Sequence, residues 1–324
     1  MSDSASVGLL GLGALGTIFA GHLARAHPGL RVFDLDTEKV AGAVTDHGAV
    51  ATTSARRLAE GCDVVVVSLP NPAAVQAALT GPDGLLEGTR AGAVVLDTST
   101  ISPDASRAMH AAAAERGVAY LDAPVSGGEP FQTGVDGARA ATMTFMVGGE
   151  AEAFERARSV MDVLGRFAFL LGPSGAGSTV KLISNLCSGI HALVAAEAFT
   201  LGAACGFEPA RLLEVFAHTD AKSFFMTDYV APRIARGDVS PGFTVELQLK
   251  DHRLAAELGH EQRVPLAFNA LAIEAWERMS AQGRGGNDVT DAVFFSAEQA
   301  RRPLGGRPAP TGHAPGRGDG SPPR

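Results

Sequence analysis

The stretch Gly11-Leu12-Gly13-Ala14-Leu15-Gly16 decides the fold of this chain, because it lies between an apolar run at 7–10 and another at 17–23. A strand, a glycine-rich turn and a helix in this order form a site for the pyrophosphate of a dinucleotide. Gly11 permits the tight turn, Gly13 lets the phosphates approach the backbone, and Gly16 lets the helix pack on the strand. The N–H groups at the helix start would face the anion. All six residues are therefore predicted to bind a dinucleotide cofactor.

An acidic residue follows at the spacing that this site requires. Asp34 ends the second apolar run, eighteen residues after Gly16, where its carboxylate can accept hydrogen bonds from the adenosine ribose. Asp36 lies nearby, and no arginine follows the strand end to bind a 2′-phosphate. Two carboxylates would repel that phosphate, so the sequence predicts NAD, with NADP less favoured. Four basic residues leave NADP open: Arg31, Lys39, Arg56 and Arg57.

Strand and helix signals alternate through the first half of the chain. Further apolar runs of strand length lie at 62–69, 93–97, 118–121, 142–147 and 167–171. This alternation predicts an α/β fold with a Rossmann doubly wound parallel sheet. The segment 178–205 is mostly Ala, Leu, Val and Ile without proline, which predicts one long, largely buried helix that joins the sheet to an all-α C-terminal domain. The predicted domains are 1–172 (NAD(P)-binding), 173–300 (all-α) and 301–324 (a disordered tail).

Composition and charge exclude several classes of protein. Hydrophobic residues make up 46% of the chain and charged residues 19%, which is typical of a folded globular protein. We expect no membrane-spanning stretch and no signal peptide, since no uninterrupted apolar run is long enough and the start lacks a basic region. Five of the 27 basic residues and one of the 35 acidic residues lie in 301–324, which leaves the first 300 residues at −12 and disfavours nucleic-acid binding. Three separated cysteines and scattered histidines predict a cytoplasmic protein without a metal site.

A lysine and an asparagine share one face of the long helix. Lys181 and Asn185 are four residues apart, and most of their neighbours are apolar. Burying an ammonium costs several kcal/mol unless it is paired or deprotonated. One interpretation is a lysine that snorkels or forms an ion pair near the helix start. The other is a cleft-lining lysine whose pKa is lowered towards neutrality and which exchanges a proton with a substrate oxygen. Asn185 would then orient either that oxygen or the lysine.

The sequence Asp122-Ala123-Pro124-Val125-Ser126-Gly127-Gly128 follows a predicted strand of the sheet. Ligands of open α/β sheets bind beyond the carboxyl ends of the strands. The consecutive N–H groups of Ser126, Gly127 and Gly128 would form a concavity that holds a carboxylate. A plain Gly-Gly turn is the alternative.

Together these motifs resemble the β-hydroxyacid dehydrogenase family, which includes 3-hydroxyisobutyrate dehydrogenase, tartronate semialdehyde reductase and, more distantly, 6-phosphogluconate dehydrogenase. The resemblance covers about residues 6–300 and includes the lysine motif at 177–185 and a late motif at 249–255. It implies hydride transfer between NAD(P) and a small β-hydroxyacid or its semialdehyde, with Lys181 as general acid/base. It also implies roles for two further sets of residues. The carboxylate-bearing substrate would be bound by Ser126, Gly127, Gly128 and Asn185, and the cofactor also by Leu69, Pro70, Thr100 and Lys250.

The chain departs from the family pattern in three places. Eight residues separate Gly128 from Gly137, where about two are usual, and the extra piece at 129–134 would either reshape the substrate pocket or bulge into solvent. Ala141 stands where glycine is usual, and His252 where leucine is common. The departures put the substrate in doubt more than the chemistry.

Two other functions are considered besides this one. Imine reductases resemble this fold, but their pattern has Asp or Tyr at the position of Lys181. A non-catalytic dinucleotide-binding protein of the same fold would tend to lose that lysine. The long apolar helix further leads us to expect a homodimer or homotetramer.

Overall fold

The computed structural model describes residues 5–127, 133–302 and 304. Strands and helices alternate as far as Gly172, and in the described residues beyond it the regular elements are all helical. The strands are β1 (Val7–Leu10), β2 (Arg31–Phe33), β3 (Val50–Ala51), β4 (Val64–Val67), β5 (Val94–Asp97), β6 (Ala119–Asp122), β7 (Val125–Ser126), β8 (Met143–Gly148) and β9 (Gly165–Gly172). The helices among them are α1 (Ala14–Ala26), α2 (Thr37–His47), α3 (Ala55–Ala59), α4 (Pro72–Thr80), α5 (Leu85–Gly88), α6 (Pro103–Ala114), α7 (Gly134–Arg139) and α8 (Ala151–Leu164).

The second half of the described chain is helical. Its helices are α9 (Ala176–Ala204), α10 (Pro209–Phe216), α11 (Ala231–Arg236), α12 (Val245–Glu261), α13 (Ala267–Met279) and α14 (Asp291–Gln299). Two π-helical segments, Phe225–Val230 and Ser280–Arg284, adjoin α11 and α13. Their side chains pack around the fully buried Trp276 as a second hydrophobic core. The predicted α/β sheet followed by an all-α part is thereby confirmed.

The sheet has the strand order β3-β2-β1-β4-β5-β6-β8-β7, with β9 paired to β8. All pairs from β3 to β6 are parallel, and β9 is parallel to β8. The sheet is mainly parallel, as predicted, and the exception is β8, which is antiparallel to β6 and β7. The reason is local: β7 continues in the direction of β6, and β8 returns beside both, whereas a parallel neighbour needs a crossover over a sheet face.

Helices cover both faces of the sheet. Val64 and Val66 of β4 belong to one hydrophobic core, and Val65 and Val67 belong to another on the opposite face. Both faces of this strand are buried, which explains why its sequence is an unbroken run of valines rather than an alternating pattern.

Helix α9 is long, as predicted, but it is not largely buried. Its buried residues include Lys181, Leu182 and Asn185, whereas a stripe on another face is exposed at Val180, Ile183, Val194 and Leu201. By length and composition alone α9 is apolar enough to cross a membrane, and the expectation of no membrane-spanning stretch stays a prediction. One third of its most apolar stretch is buried against the rest of the chain. Length and composition alone are weak evidence, because the core helix of a globular protein passes the same test.

The junction between the two parts lies at 173–175, between the end of β9 and the start of α9. Gly128 and the first four residues of the extra piece, 129–132, lie outside the described residues, as do 303 and 305–324 of the tail. The end of the extra piece is not a loop, because Thr133 accepts a hydrogen bond from the Asp136 N–H and Gly134 begins α7.

Candidate active site at the junction of sheet and helices

The glycine loop after β1 has a tight turn at Gly11, open space at Gly13 and close packing of α1 at Gly16, as the sequence predicts. Gly11 has φ = 95°, and a Cβ there would lie 2.3 Å from the Ser68 carbonyl oxygen. A Cβ at Gly16 would lie 2.0 Å from the Gly11 carbonyl oxygen, so α1 can pack this closely only with glycine. No described atom lies within 4 Å of a Cβ built at Gly13, and no described side chain caps the start of α1. The loop therefore fits a pyrophosphate, which can approach Gly13 and the open helix start.

Asp34 lies at the end of β2 against this loop. Its Oδ2 accepts a hydrogen bond from the Leu12 N–H at 2.6 Å, and its Oδ1 accepts one from the Asp36 N–H at 2.8 Å. Each carboxylate oxygen can accept a further hydrogen bond. The carboxylate thus holds the glycine loop in place as well as standing where the adenosine ribose is expected.

A hydrogen bond joins the two loops, after β4 and after β5, that carry the expected cofactor-binding residues Leu69, Pro70 and Thr100. Ser99 Oγ accepts a hydrogen bond from the Leu69 N–H at 2.9 Å, and Pro70 next to it is exposed. Beneath them, the buried Asp97 accepts hydrogen bonds from the Ser99 N–H at 2.9 Å and from the Tyr120 hydroxyl at 2.7 Å. Burial raises the pKa of Asp97 to about 6 against the effect of these hydrogen bonds. Asp97 was not predicted, because its partner Tyr120 lies on another strand.

The structure describes only part of the expected carboxylate site. Ser126 ends β7 opposite Thr144 of β8, and Gly127 follows it, both half-buried. Gly128 lies outside the described residues. The concavity of three N–H groups therefore stays a prediction.

Lys181 and Asn185 lie side by side on the buried face of α9, with Lys181 7% and Asn185 6% exposed. No residue in the described part of the chain forms a hydrogen bond or an ion pair with the Lys181 ammonium. Burial lowers the pKa of Lys181 to about 8, while the negative charge of Asp251 opposes this and the positive charge of Lys250 adds to it. The ion-paired interpretation of Lys181 therefore finds no partner among the described residues.

Asp251 of α12 organises the side chains around this lysine. Its Oδ2 accepts a hydrogen bond from Asn185 Nδ2 at 2.5 Å, and its Oδ1 lies 2.7 Å from the Lys250 ammonium. Lys250 also donates to the Thr100 carbonyl oxygen at 2.7 Å, which joins α12 to the loop after β5. Asp251 was within a quoted motif, but its acceptor role depends on contacts 66 residues apart in the chain.

His252, at the position where leucine was noted as common, is fully buried behind Asp251. Its Nδ1 lies 2.6 Å from Asn269 Oδ1, and Asn269 Nδ2 donates to the His252 carbonyl oxygen at 3.0 Å. The second bond orients the amide, so His252 Nδ1 carries the proton and Nε2 does not. Burial lowers the pKa of His252. A Cβ at Gly189 of α9 would lie 2.1 Å from His252 Nε2, so the histidine fits only beside glycine.

No group of three or more His, Cys, Asp or Glu among the described residues is arranged to hold a metal ion. The site instead combines an open glycine loop, a buried lysine without a hydrogen bond or ion pair among the described residues, and the strand end at Ser126 and Gly127 where the carboxylate is expected to bind. Such an arrangement can bind a dinucleotide and exchange a proton with a small ligand beside it.

Two family models match nearly the whole chain. The NAD-binding domain of 6-phosphogluconate dehydrogenase matches residues 6–172, and the NAD-binding domain of NADP-dependent 3-hydroxyisobutyrate dehydrogenase matches residues 175–295. A 2-(hydroxymethyl)glutarate dehydrogenase from Eubacterium barkeri is 37% identical over 90% of this chain and 95% of its own. An NAD-dependent L-serine dehydrogenase from Pseudomonas aeruginosa is 38% identical over 88% and 95%. The crystal structure of a 3-hydroxyisobutyrate dehydrogenase from Salmonella typhimurium has a TM-score of 0.79 at 30% identity, covering 90% of this chain and 99% of its own.

The imine reductase alternative finds only distant support. A reductive aminase from Aspergillus terreus covers 90% of this chain and 99% of its own, at a TM-score of 0.55 and 21% identity. A likeness at this level shows a shared fold and nothing about the reaction.

Proposed function

Since the chain belongs to the β-hydroxyacid dehydrogenase family and is an NAD(P)-binding oxidoreductase, we propose that Lys181 is the general acid/base of its hydride-transfer reaction. The substrate class we propose is a small β-hydroxyacid or its semialdehyde. The observation that supports the role of Lys181 is a buried ammonium with a pKa of about 8 and no partner among the described residues. A group whose pKa lies near the working pH can both donate and accept a proton.

In this proposal each part of the site has a separate role in the reaction. When bound, the nicotinamide supplies or accepts the hydride. Lys181 donates a proton to the carbonyl oxygen in reduction and takes it from the hydroxyl in oxidation. Asn185 is held through Nδ2 by Asp251, which leaves its Oδ1 to orient the lysine or the hydroxyl. The backbone N–H groups from Ser126 to Gly128 hold the substrate carboxylate.

We further propose a preference for NAD over NADP. Asp34 and Asp36 both follow β2, and the Asp36 N–H donates to Asp34 Oδ1, so a 2′-phosphate bound there would meet the negative charge of two acidic residues. The basic side chains nearby have other partners: Lys39 with Asp36, Arg56 with Glu87, Arg57 with Glu60, and Arg31 with the Arg57 and Glu60 carbonyl oxygens. Exposed ion pairs such as these contribute little, so the expected preference for NAD comes from the negative charges of Asp34 and Asp36. A kcat/KM that is higher with NADPH than with NADH would contradict it.

The role of Lys181 is tested by substitution in assays with a panel of β-hydroxyacids that includes 3-hydroxyisobutyrate, L-serine and 2-(hydroxymethyl)glutarate. Lys181→Ala should lower kcat by ~10²–10⁴, the usual contribution of general acid–base catalysis. Lys181→Arg should not restore it, because a guanidinium stays protonated. The dissociation constant of NADH should change little, since the glycine loop and Asp34 lie on another element. The matched control is Lys222→Ala, which removes an exposed lysine of the helical part and should leave kcat unchanged.

The outcomes separate the alternatives. A well-folded Lys181→Ala variant with nearly normal kcat would remove the catalytic assignment. The same variant with a lower melting temperature and unchanged kcat would support the snorkelling interpretation. Absence of turnover by the wild-type chain across the panel, with NADH still bound, would support a non-catalytic dinucleotide-binding protein.

A further inference from the structure

The start of α9 is capped by a carboxylate that lies 53 residues earlier in the chain. The first N–H groups of a helix have no partner within the helix. Gly175, at the N-cap, has no side chain to accept from them. Asp122, at the end of β6, takes this place: its Oδ1 accepts from the Gly175 N–H at 2.7 Å and its Oδ2 from the Ser178 N–H at 2.9 Å.

The capped turn also lies directly on the sheet. A Cβ at Gly177 would be 2.2 Å from the Met146 carbonyl oxygen and 2.6 Å from that of Asp122. A Cβ at Gly148 would be 2.6 Å from Asp122 Oδ1. Backbone therefore packs on backbone at this point, and the two hydrogen bonds to Asp122 fix the position of the first turn of α9 on the strands.

We propose that Asp122 is a positioning residue for the proton transfer, which sets the place of Lys181 relative to Ser126 and Gly127. Lys181 follows Ser178 by three residues and lies on the same side of the helix, so the ammonium moves when the capped turn moves. The loop that begins at Asp122 leads within four residues to Ser126. The Asp122 side chain thus holds the start of α9 beside the segment that leads to Ser126. This inference rests on the proposed role of Lys181.

The substitution Asp122→Asn keeps the shape of the side chain and one acceptor, but its NH2 group faces the second N–H and loses that hydrogen bond. A misplacement of reacting groups by about 1 Å can cost ~10²-fold in rate. We expect kcat to fall ~10–100-fold in Asp122→Asn, with the NADH dissociation constant unchanged, because the carboxylate contacts α9 and not the glycine loop. Asp122→Ser, which keeps an acceptor on a shorter side chain, serves as the second variant and should show the same split.

Ser106→Ala is the matched control. Ser106 and Ser178 are both fully buried, and their hydroxyls lie 2.8 Å apart between α6 and the same turn of α9. This variant loses a buried hydrogen bond without freeing a backbone N–H of the capped turn. We expect it to lower the melting temperature while kcat changes less than threefold.

A double-mutant cycle with Lys181→Ala tests whether Asp122 acts through the lysine. If it does, Asp122→Asn adds no further loss of kcat in the Lys181→Ala background, and the double variant is as slow as Lys181→Ala alone. If the kcat losses of Asp122→Asn and Lys181→Ala multiply in the double variant, the inference is overturned. A kcat loss in Ser106→Ala equal to that in Asp122→Asn would also overturn it. Failure of the proposed function would show separately, as a nearly normal kcat in Lys181→Ala by itself.

Discussion

The pH dependence of the two reaction directions should report the protonation of Lys181. Burial lowers its pKa from 10.5 to about 8, which corresponds to about 3 kcal/mol of net destabilisation of the ammonium. In reduction the lysine must be protonated, so kcat should fall as the pH rises through about 8. In oxidation it must be neutral, so kcat should rise through the same pH. Between pH 7 and pH 9 each rate should change ~10-fold, in opposite directions.

The substitution Asp251→Asn tests whether neighbouring charges set the pKa of Lys181. The negative charge of Asp251 raises the pKa of Lys181 against the effect of burial, and Lys250 lowers it. Removing the charge of Asp251 should therefore move the midpoint of both profiles to lower pH, so that at pH 7 reduction slows and oxidation becomes faster. The asparagine keeps an acceptor for Asn185. Lys250→Met, which removes the neighbouring cation, should move both midpoints in the opposite direction.

The assay is single-turnover stopped-flow at saturating cofactor and substrate, with nicotinamide absorbance as the signal, so that product release does not mask the chemical step. Midpoints that stay in place in both variants, or a shift of the Asp251→Asn profile to higher pH, would refute the argument that these charges act on Lys181. Profiles that respond in only one reaction direction would show that another group is titrating.

Three further predictions concern stability and assembly. Ala141 has φ = 53° and ends α7 in the left-handed conformation that favours glycine, so Ala141→Gly should stabilise the fold by about 1 kcal/mol in urea unfolding, and an unchanged midpoint would contradict this. Because burial lowers the pKa of His252, its contribution to stability is present above the unfolded pKa and is lost as the pH falls below it. His252→Leu should therefore show a smaller loss of melting temperature between pH 8 and pH 5 than the wild type, and an equal loss would exclude this histidine as a cause. The exposed apolar stripe of α9 repeats at intervals that suit packing against a second helix, so we expect a homodimer. The double variant Ile183→Glu with Leu201→Glu should be a monomer in light scattering. A monomeric wild type would contradict this expectation.

Several features of the protein depend only on residues that lie close together in the chain. The sequence by itself determines these features. The glycine loop is one, because its three glycines belong to a single strand–turn–helix unit, from β1 to α1, whose spacing can be read along the chain. The valine run of β4 is another, since a strand buried on both faces needs apolar residues at every position. Lys181 and Asn185 are a third, because a spacing of four places them on one helix face wherever the helix packs.

Only the tertiary structure decides which distant segments of the chain contact each other. Asp122 belongs to a motif expected to bind substrate, yet its carboxylate caps α9 across 53 residues. Asp251 meets Asn185 across 66 residues, and Lys250 meets Thr100 across 150. No periodicity or spacing encodes such pairs, because they depend on how α9 and α12 pack against the sheet. The same packing decided that one face of α9 stays exposed, since burial of an apolar helix depends on which neighbours the fold supplies.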